Sequence, residues 1–174
     1  MNKPLRTAAL AAASLGALCF SGAASAAWTF SDSVGGGTIA GSFPSFTITG
    51  SDNGQHADDL ATYTQTFDTA QTVSFSWVYK TDDCCGAYWD PAGYVLNGSR
   101  TELSVEGDPL VGSSGYMSVD VAAGDTFGWY VLSRDSELGA GILSVSVVPE
   151  PGNVALMLAG LGALGFAARR RAKG

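Results

Sequence analysis

The sequence lacks the motifs by which most enzymes are recognised. It has a single histidine, His56, so a Ser-His-Asp triad would have to be built on that residue. It has no phosphate-binding loop, no paired-cysteine zinc spacing and no nucleophile elbow. Paired carboxylates of a glycoside hydrolase remain open, because acidic residues are plentiful. These absences favour a protein that is not an enzyme and leave a secreted hydrolase as the least favoured alternative.

Basic residues are scarce between residues 27 and 148. In this segment Lys80, Arg100 and Arg134 stand against 15 acidic residues, which gives a net charge of −12, compared with −7 for the whole chain. Such a surface repels phosphates and anionic headgroups, so we expect no nucleic-acid partner. It could attract divalent cations, although solvation alone also explains the charge.

The N-terminal residues 1–26 have the pattern of a secretory signal peptide. A basic start and an apolar run from Ala8 to Phe20 lead to a small-x-small site formed by Ala24 and Ala26. We expect a signal helix here and cleavage by signal peptidase before Ala27. The remaining chain would be exported, with residues 27–148 forming one acidic domain.

Within this domain the hydrophobic pattern predicts β-strands. Val73, Phe75, Trp77 and Tyr79 alternate with mostly polar residues, the period expected of a half-buried strand. Asn97-Gly98 supplies the positive φ angles of a tight hairpin turn. Eight or nine short strands predict an all-β fold, a single antiparallel β-sandwich of jelly-roll type. Besides 73–79, the predicted strands are 28–31, 45–49, 63–67, 94–96, 99–105, 117–121, 127–131 and 143–147.

Cysteine is nearly absent from this domain. Cys84 and Cys85 are its only cysteines, because Cys19 would leave with the signal peptide. Their Cα atoms are about 3.8 Å apart, below the usual minimum of about 4.4 Å for a bridged pair. Three states are open: a strained disulfide between the two, interchain disulfides, or free thiols or a metal site.

The same segment carries the candidate ligand-binding residues. Asp82, Asp83 and Asp90 supply oxygen ligands that suit Ca²⁺, although no EF-hand loop is present. Tyr88 and Trp89 offer rings that could stack on a sugar. Solvated loop acids and aromatic side chains folded over the end of the sandwich are the simpler interpretations. No other cofactor is expected.

Three features follow one another at the C-terminus, in a tail of residues 149–174. Pro149-Glu150-Pro151 comes first, then an apolar run over about 152–168, then a basic end at 169–173 that includes Arg169, Arg170 and Arg171. The apolar run would form about 25 Å of helix, near the lower limit for a membrane span, so we expect a transmembrane helix. The basic end should remain cytoplasmic and stop transfer.

This tail resembles the PEP-CTERM sorting signal of Gram-negative bacteria. The resemblance implies that exosortase, a membrane-embedded cysteine protease, recognises Pro149, Glu150 and Pro151 and removes the tail. It implies a precursor anchored in the inner membrane with its body in the periplasm, and later a place at the cell surface or in the extracellular matrix. The stretch from Phe75 to Gly98 also resembles the sandwich-like bodies of other PEP-CTERM proteins, which implies no activity.

The setting in which this family operates suggests a function. We expect a structural or adhesive component associated with extracellular polysaccharide. The alternative is a calcium-assisted carbohydrate-binding module that uses Tyr88 and Trp89 as its sugar platform.

Overall fold

The computed structural model describes residues 27–105, 112–148 and 151–171. Within 151–171 it describes the side chains at 158–166, 169 and 170. The predicted signal helix, with Ala24 and Ala26, lies outside the described residues, as do Pro149 and Glu150. Ala27 is the first residue that the structure describes.

Two five-stranded antiparallel sheets form the body of the protein. The first has the strand order β1-β4-β9-β6-β7 and the second β2-β3-β10-β5-β8. The predicted all-β, antiparallel sandwich is therefore confirmed. The strands are β1 Thr29–Asp32, β2 Thr38–Ser42, β3 Ser45–Thr49, β4 Asp59–Thr66, β5 Gln71–Thr81, β6 Ala92–Leu96, β7 Ser99–Glu102, β8 Ser113–Val121, β9 Thr126–Ser133 and β10 Gly141–Val148.

An aromatic core holds the two sheets together. Trp129 on β9 is fully buried, and its ring centroid lies 5.1 Å from Phe46 and 5.2 Å from Phe75, both on the opposite sheet. Phe127 of the same strand lies 5.0 Å from it and Trp28 lies 5.2 Å from it. Such edge-to-face and stacked pairs add to the free energy gained by burying the rings. The alternating residues of the predicted strands supply this core.

The strand register shows which parts of the chain lie at each end of the sandwich. β10 runs antiparallel to β5, with Gly141 opposite Thr81 and Val148 opposite Ser74. The chain therefore leaves β10 toward the tail at one end, which we call the proximal end. The opposite, distal end carries the loops 33–37, 50–58, 82–91 and 134–140.

Some strand boundaries differ from those predicted. β2 was not predicted, because its sequence Thr-Ile-Ala-Gly-Ser has a single large apolar residue and four exposed positions. β7 ends at Glu102 rather than Val105, since the chain turns inward and Leu103 is buried. The described part of the chain thus has ten strands instead of eight or nine.

The tail forms one helix, α1, from Pro151 to Arg171. Proline suits the first position of a helix, where its missing N–H has no partner to lose. The predicted transmembrane helix needs correction: in the described stretches, no helix is both long and apolar enough to cross a membrane. Glycines at 160, 162 and 165 lower the apolar character of the segment. Its side chains at 158–166 are all exposed, including Leu158, Leu164 and Phe166.

Candidate functional site

The β5–β6 loop, residues 82–91, is built around two buried carboxylates. Asp83 and Asp90 are 2% and 1% exposed, whereas Asp82 is exposed. The Thr81 hydroxyl donates a hydrogen bond to Asp90 Oδ2 at 3.0 Å, and the Asp83 N–H donates to Thr81 Oγ1 at 3.0 Å. The Tyr79 hydroxyl donates to the Asp90 carbonyl at 2.7 Å. These buried acids act as internal supports of the loop, in contrast to the solvated loop acids of the simpler interpretation.

Burial changes the protonation of this support. Loss of solvent raises the pKa of Asp90 to about 6, and the charge of Asp83 adds to the effect while hydrogen bonds from Ser133 and Thr81 oppose it. Burial also raises the pKa of Tyr79. With a pKa of about 6, Asp90 gains a proton when the medium is acidified slightly below neutral pH, so modest changes in pH alter its charge.

The loop 134–140 supports the β5–β6 loop from the side. The Asp82 N–H donates to the Ala140 carbonyl at 3.1 Å. Gly139 has a φ of +134°, and a Cβ atom there would lie 2.3 Å from the Asp83 nitrogen. Only glycine allows the two backbones to come this close.

Tyr88 and Trp89 form an exposed aromatic pair at the outside of the loop. They are 49% and 37% exposed, and their ring centroids lie 5.4 Å apart at nearly a right angle. The Arg134 guanidinium lies 4.7 Å from the Tyr88 ring centroid, and the Arg134 N–H donates to the Trp89 carbonyl at 2.8 Å. The cation–π contact and the backbone bond fix the pair in place. No sequence pattern pointed to Arg134, because it lies in the loop after β9, far along the chain from Tyr88.

The two cysteines lie next to this pair. Both thiols are unbridged and exposed in the structure. The Cys85 N–H donates to Asp83 Oδ1. Hydrogen bonding to Cys85 raises the pKa of Cys84 to about 11, so the thiol stays protonated and is a poor nucleophile at neutral pH. The vicinal disulfide, the interchain disulfides and the free or metal-bound thiols all stay predictions.

The ligands of the predicted calcium site do not lie together as a set. Among the described residues, the ligand atoms of Asp83, Cys84 and Cys85 lie within 4.8 Å of one another, and Asp82 and Asp90 lie outside this group. Its mixture of one oxygen and two sulfur atoms suits a softer ion than Ca²⁺. Calcium at Asp82, Asp83 and Asp90 stays a prediction.

His56 is part of the distal surface. Its side chain is 76% exposed, and Nδ1 lies 3.1 Å from a carboxylate oxygen of Glu137. This is a surface ion pair when the imidazole is protonated, and such pairs contribute little stability.

Most of the described acidic residues lie at or next to the distal end. The proximal end has only Asp68, Asp120 and Asp125 among the described residues of the body. The distal end is therefore the electronegative end of the sandwich. Its acidic residues are Asp32, Asp52, Asp58, Asp59, Asp82, Asp83, Asp90, Glu102, Asp135 and Glu137.

The fold and the tail together define a β-sandwich protein with a C-terminal sorting signal. Residues 147–171 match the PEP-CTERM protein-sorting motif. The resemblance inferred from Pro149-Glu150-Pro151 and the following residues is thereby confirmed for the tail. No curated protein and no solved structure matches the chain. The motif implies export, a membrane-anchored precursor, processing by exosortase and sorting to the cell surface.

Proposed function

We propose that the protein is a non-enzymatic adhesive component of the cell surface that binds extracellular polysaccharide through its distal end. The strand register supports this orientation. The eight residues of β10 span about 25 Å between Gly141 at the distal end and Val148, where the tail begins. A precursor held by its tail would present the distal loops farthest from the point of attachment.

The aromatic pair is the observation that carries this proposal. Tyr88 and Trp89 are large, exposed and held by Arg134, so they can receive a ligand with little loss of side-chain entropy. The C–H face of a sugar ring packs against an aromatic face, while the surrounding carboxylates can accept hydrogen bonds from sugar hydroxyls. An adhesive role requires only this surface and no catalytic group.

The alternative is a carbohydrate-binding module that depends on calcium. The concentration of acidic residues at the distal end favours it, because polysaccharide and protein carboxylates can share a cation. The two functions differ in one measurable property. A calcium-assisted module loses binding in chelator, whereas stacking on Tyr88 and Trp89 alone does not require a metal ion.

The test is binding of the processed protein to matrix polysaccharide prepared from the same cells. Trp89→Ala should weaken binding about tenfold or more, equivalent to about 1.4 kcal/mol. Tyr116→Ala is the matched control, because Tyr116 is also exposed, at 62%, but lies on β8. Equal binding by both variants would refute the role of the loop, and no binding by the wild-type protein would refute the proposed function.

A further inference from the structure

Two carboxylates from neighbouring strands meet beneath the loop 33–37, apart from the aromatic pair. Asp32 is the last residue of β1, and Asp59 is the first residue of β4. The Asp59 side chain is buried, at 1% exposure. One oxygen of each carboxylate is already occupied. The Gly37 N–H donates to Asp32 Oδ2 at 2.9 Å, and the Ser33 hydroxyl and Val34 N–H donate to Asp59 Oδ1 at 2.8 and 2.9 Å.

The other oxygen of each carboxylate is buried and has no hydrogen-bond donor. These atoms are Asp32 Oδ1 and Asp59 Oδ2, and the two side chains are close enough to interact directly. Ser51, 1% exposed, borders Asp59 closely enough for its buried hydroxyl to help lower the pKa of that carboxyl. Three buried oxygens from three segments of chain therefore collect in one place.

This arrangement requires a positive charge. A buried carboxylate oxygen that accepts no hydrogen bond costs free energy, and two carboxylates in contact also repel each other. No lysine or arginine among the described residues forms an ion pair with Asp32 or Asp59. The missing charge is either a proton shared by the carboxylates or a metal ion.

The surroundings favour a metal ion. The hydrogen bonds to Asp32 Oδ2 and Asp59 Oδ1 orient the carboxylates so that their remaining oxygens meet, which is how outer hydrogen bonds prepare ligands in metal sites. A shared proton would join only the two carboxylates, whereas a metal ion can also take the Ser51 oxygen as a ligand. The backbone also closes on the cluster: a Cβ at Gly36 would lie 2.3 Å from Ser51 Oγ, and one at Gly37 would lie 3.2 Å from Asp32 Oδ1.

We propose that Asp32, Asp59 and Ser51 bind Ca²⁺ between β1, β4 and the start of the loop 50–58. An all-oxygen ligand set suits this hard cation, which accepts irregular geometry and takes further ligands from backbone carbonyls. The bound ion ties together three segments of the distal end. This site is independent of polysaccharide binding and distinct from the one predicted at Asp82, Asp83 and Asp90.

The test uses the processed protein, stripped with EDTA and returned to buffer of low ionic strength at pH 7.5. Calorimetric titration with CaCl₂ should give one strong site per chain. Saturating Ca²⁺ at about 100 times the dissociation constant should raise the melting temperature by about 5–10 °C. No heat and no thermal shift would overturn the proposal and leave a shared proton as the explanation.

Two variants locate the ion. Asp32→Asn places an amide where it can donate to Asp59 Oδ2, so it should fold and be at least as stable as the metal-free wild type, but lose the calcium response. Ser51→Ala removes one hydroxyl beside Asp59, so it should retain the fold and weaken calcium binding about tenfold. Asp90→Asn is the matched control and should respond to calcium like the wild type. The proposal fails if Asp32→Asn or Ser51→Ala binds normally, or if Asp90→Asn loses the response.

Discussion

Replacing Asp90 with asparagine should stabilise the protein at neutral pH. Burial raises the pKa of this carboxyl from 3.8 to about 6. A carboxyl whose pKa rises on folding opposes folding when it is ionised. The penalty is absent below pH 3.8, grows between about pH 4 and 6, and is complete above pH 6. A shift of about 2 pH units corresponds to about 3 kcal/mol. Thr81 donates a hydrogen bond to the charged Oδ2 of Asp90, and the substitution weakens this bond at a cost of about 1 kcal/mol. The net gain in unfolding free energy is therefore about 2 kcal/mol.

Urea unfolding in EDTA from pH 4 to 8, followed by tryptophan fluorescence, measures this effect. The stability difference between Asp90→Asn and wild type should be near zero at pH 4 and reach about 2 kcal/mol at pH 7.5. Asp125→Asn is a control of opposite sign, because the hydrogen bond from Asn97 lowers the pKa of Asp125 and that stabilisation is present only above the unfolded pKa. Parallel curves for Asp90→Asn and wild type would refute the reasoning.

Two further predictions concern packing. Trp129→Ala should lower the free energy of unfolding by about 3–5 kcal/mol, because it removes a fully buried ring. Trp129→Phe should cost clearly less, because the buried indole N–H has no acceptor to lose. Equal losses for the two variants in denaturant unfolding would contradict this. Gly139→Ala should destabilise the fold by at least about 2 kcal/mol more than Gly124→Ala. Both glycines have positive φ, but only a Cβ at Gly139 meets the backbone of the β5–β6 loop; similar melting temperatures for the two variants would count against the close approach.

The local hydrophobic alternation and the turn residues were sufficient to predict most of the fold. Alternation from Val73 to Tyr79 predicted the centre of β5, and Asn97-Gly98 predicted the turn between β6 and β7, where both residues have positive φ. β2 was missed because its sequence has no hydrophobic pattern of its own. It is a strand because it pairs with β3. Edge strands of small residues carry little signal in their own sequence.

The candidate sites could be predicted only in part. Tyr88 and Trp89 were identified because they are neighbours in the chain. Arg134 was not, since its contact with Tyr88 depends on how two loops pack. The same applies to Asp32 and Asp59, which come together through the pairing of β1 with β4. Residues that come together through strand pairing are far apart in the chain, so no characteristic spacing in the sequence identifies them.

Sorting is the central claim, and intact-mass spectrometry of the protein recovered from the cell surface tests it most directly. The account predicts an N-terminus at Ala27 and loss of the C-terminal tail, residues 149–174. Recovery of the full-length chain from the cytosol, with residues 1–26 and the basic end still attached, would contradict it.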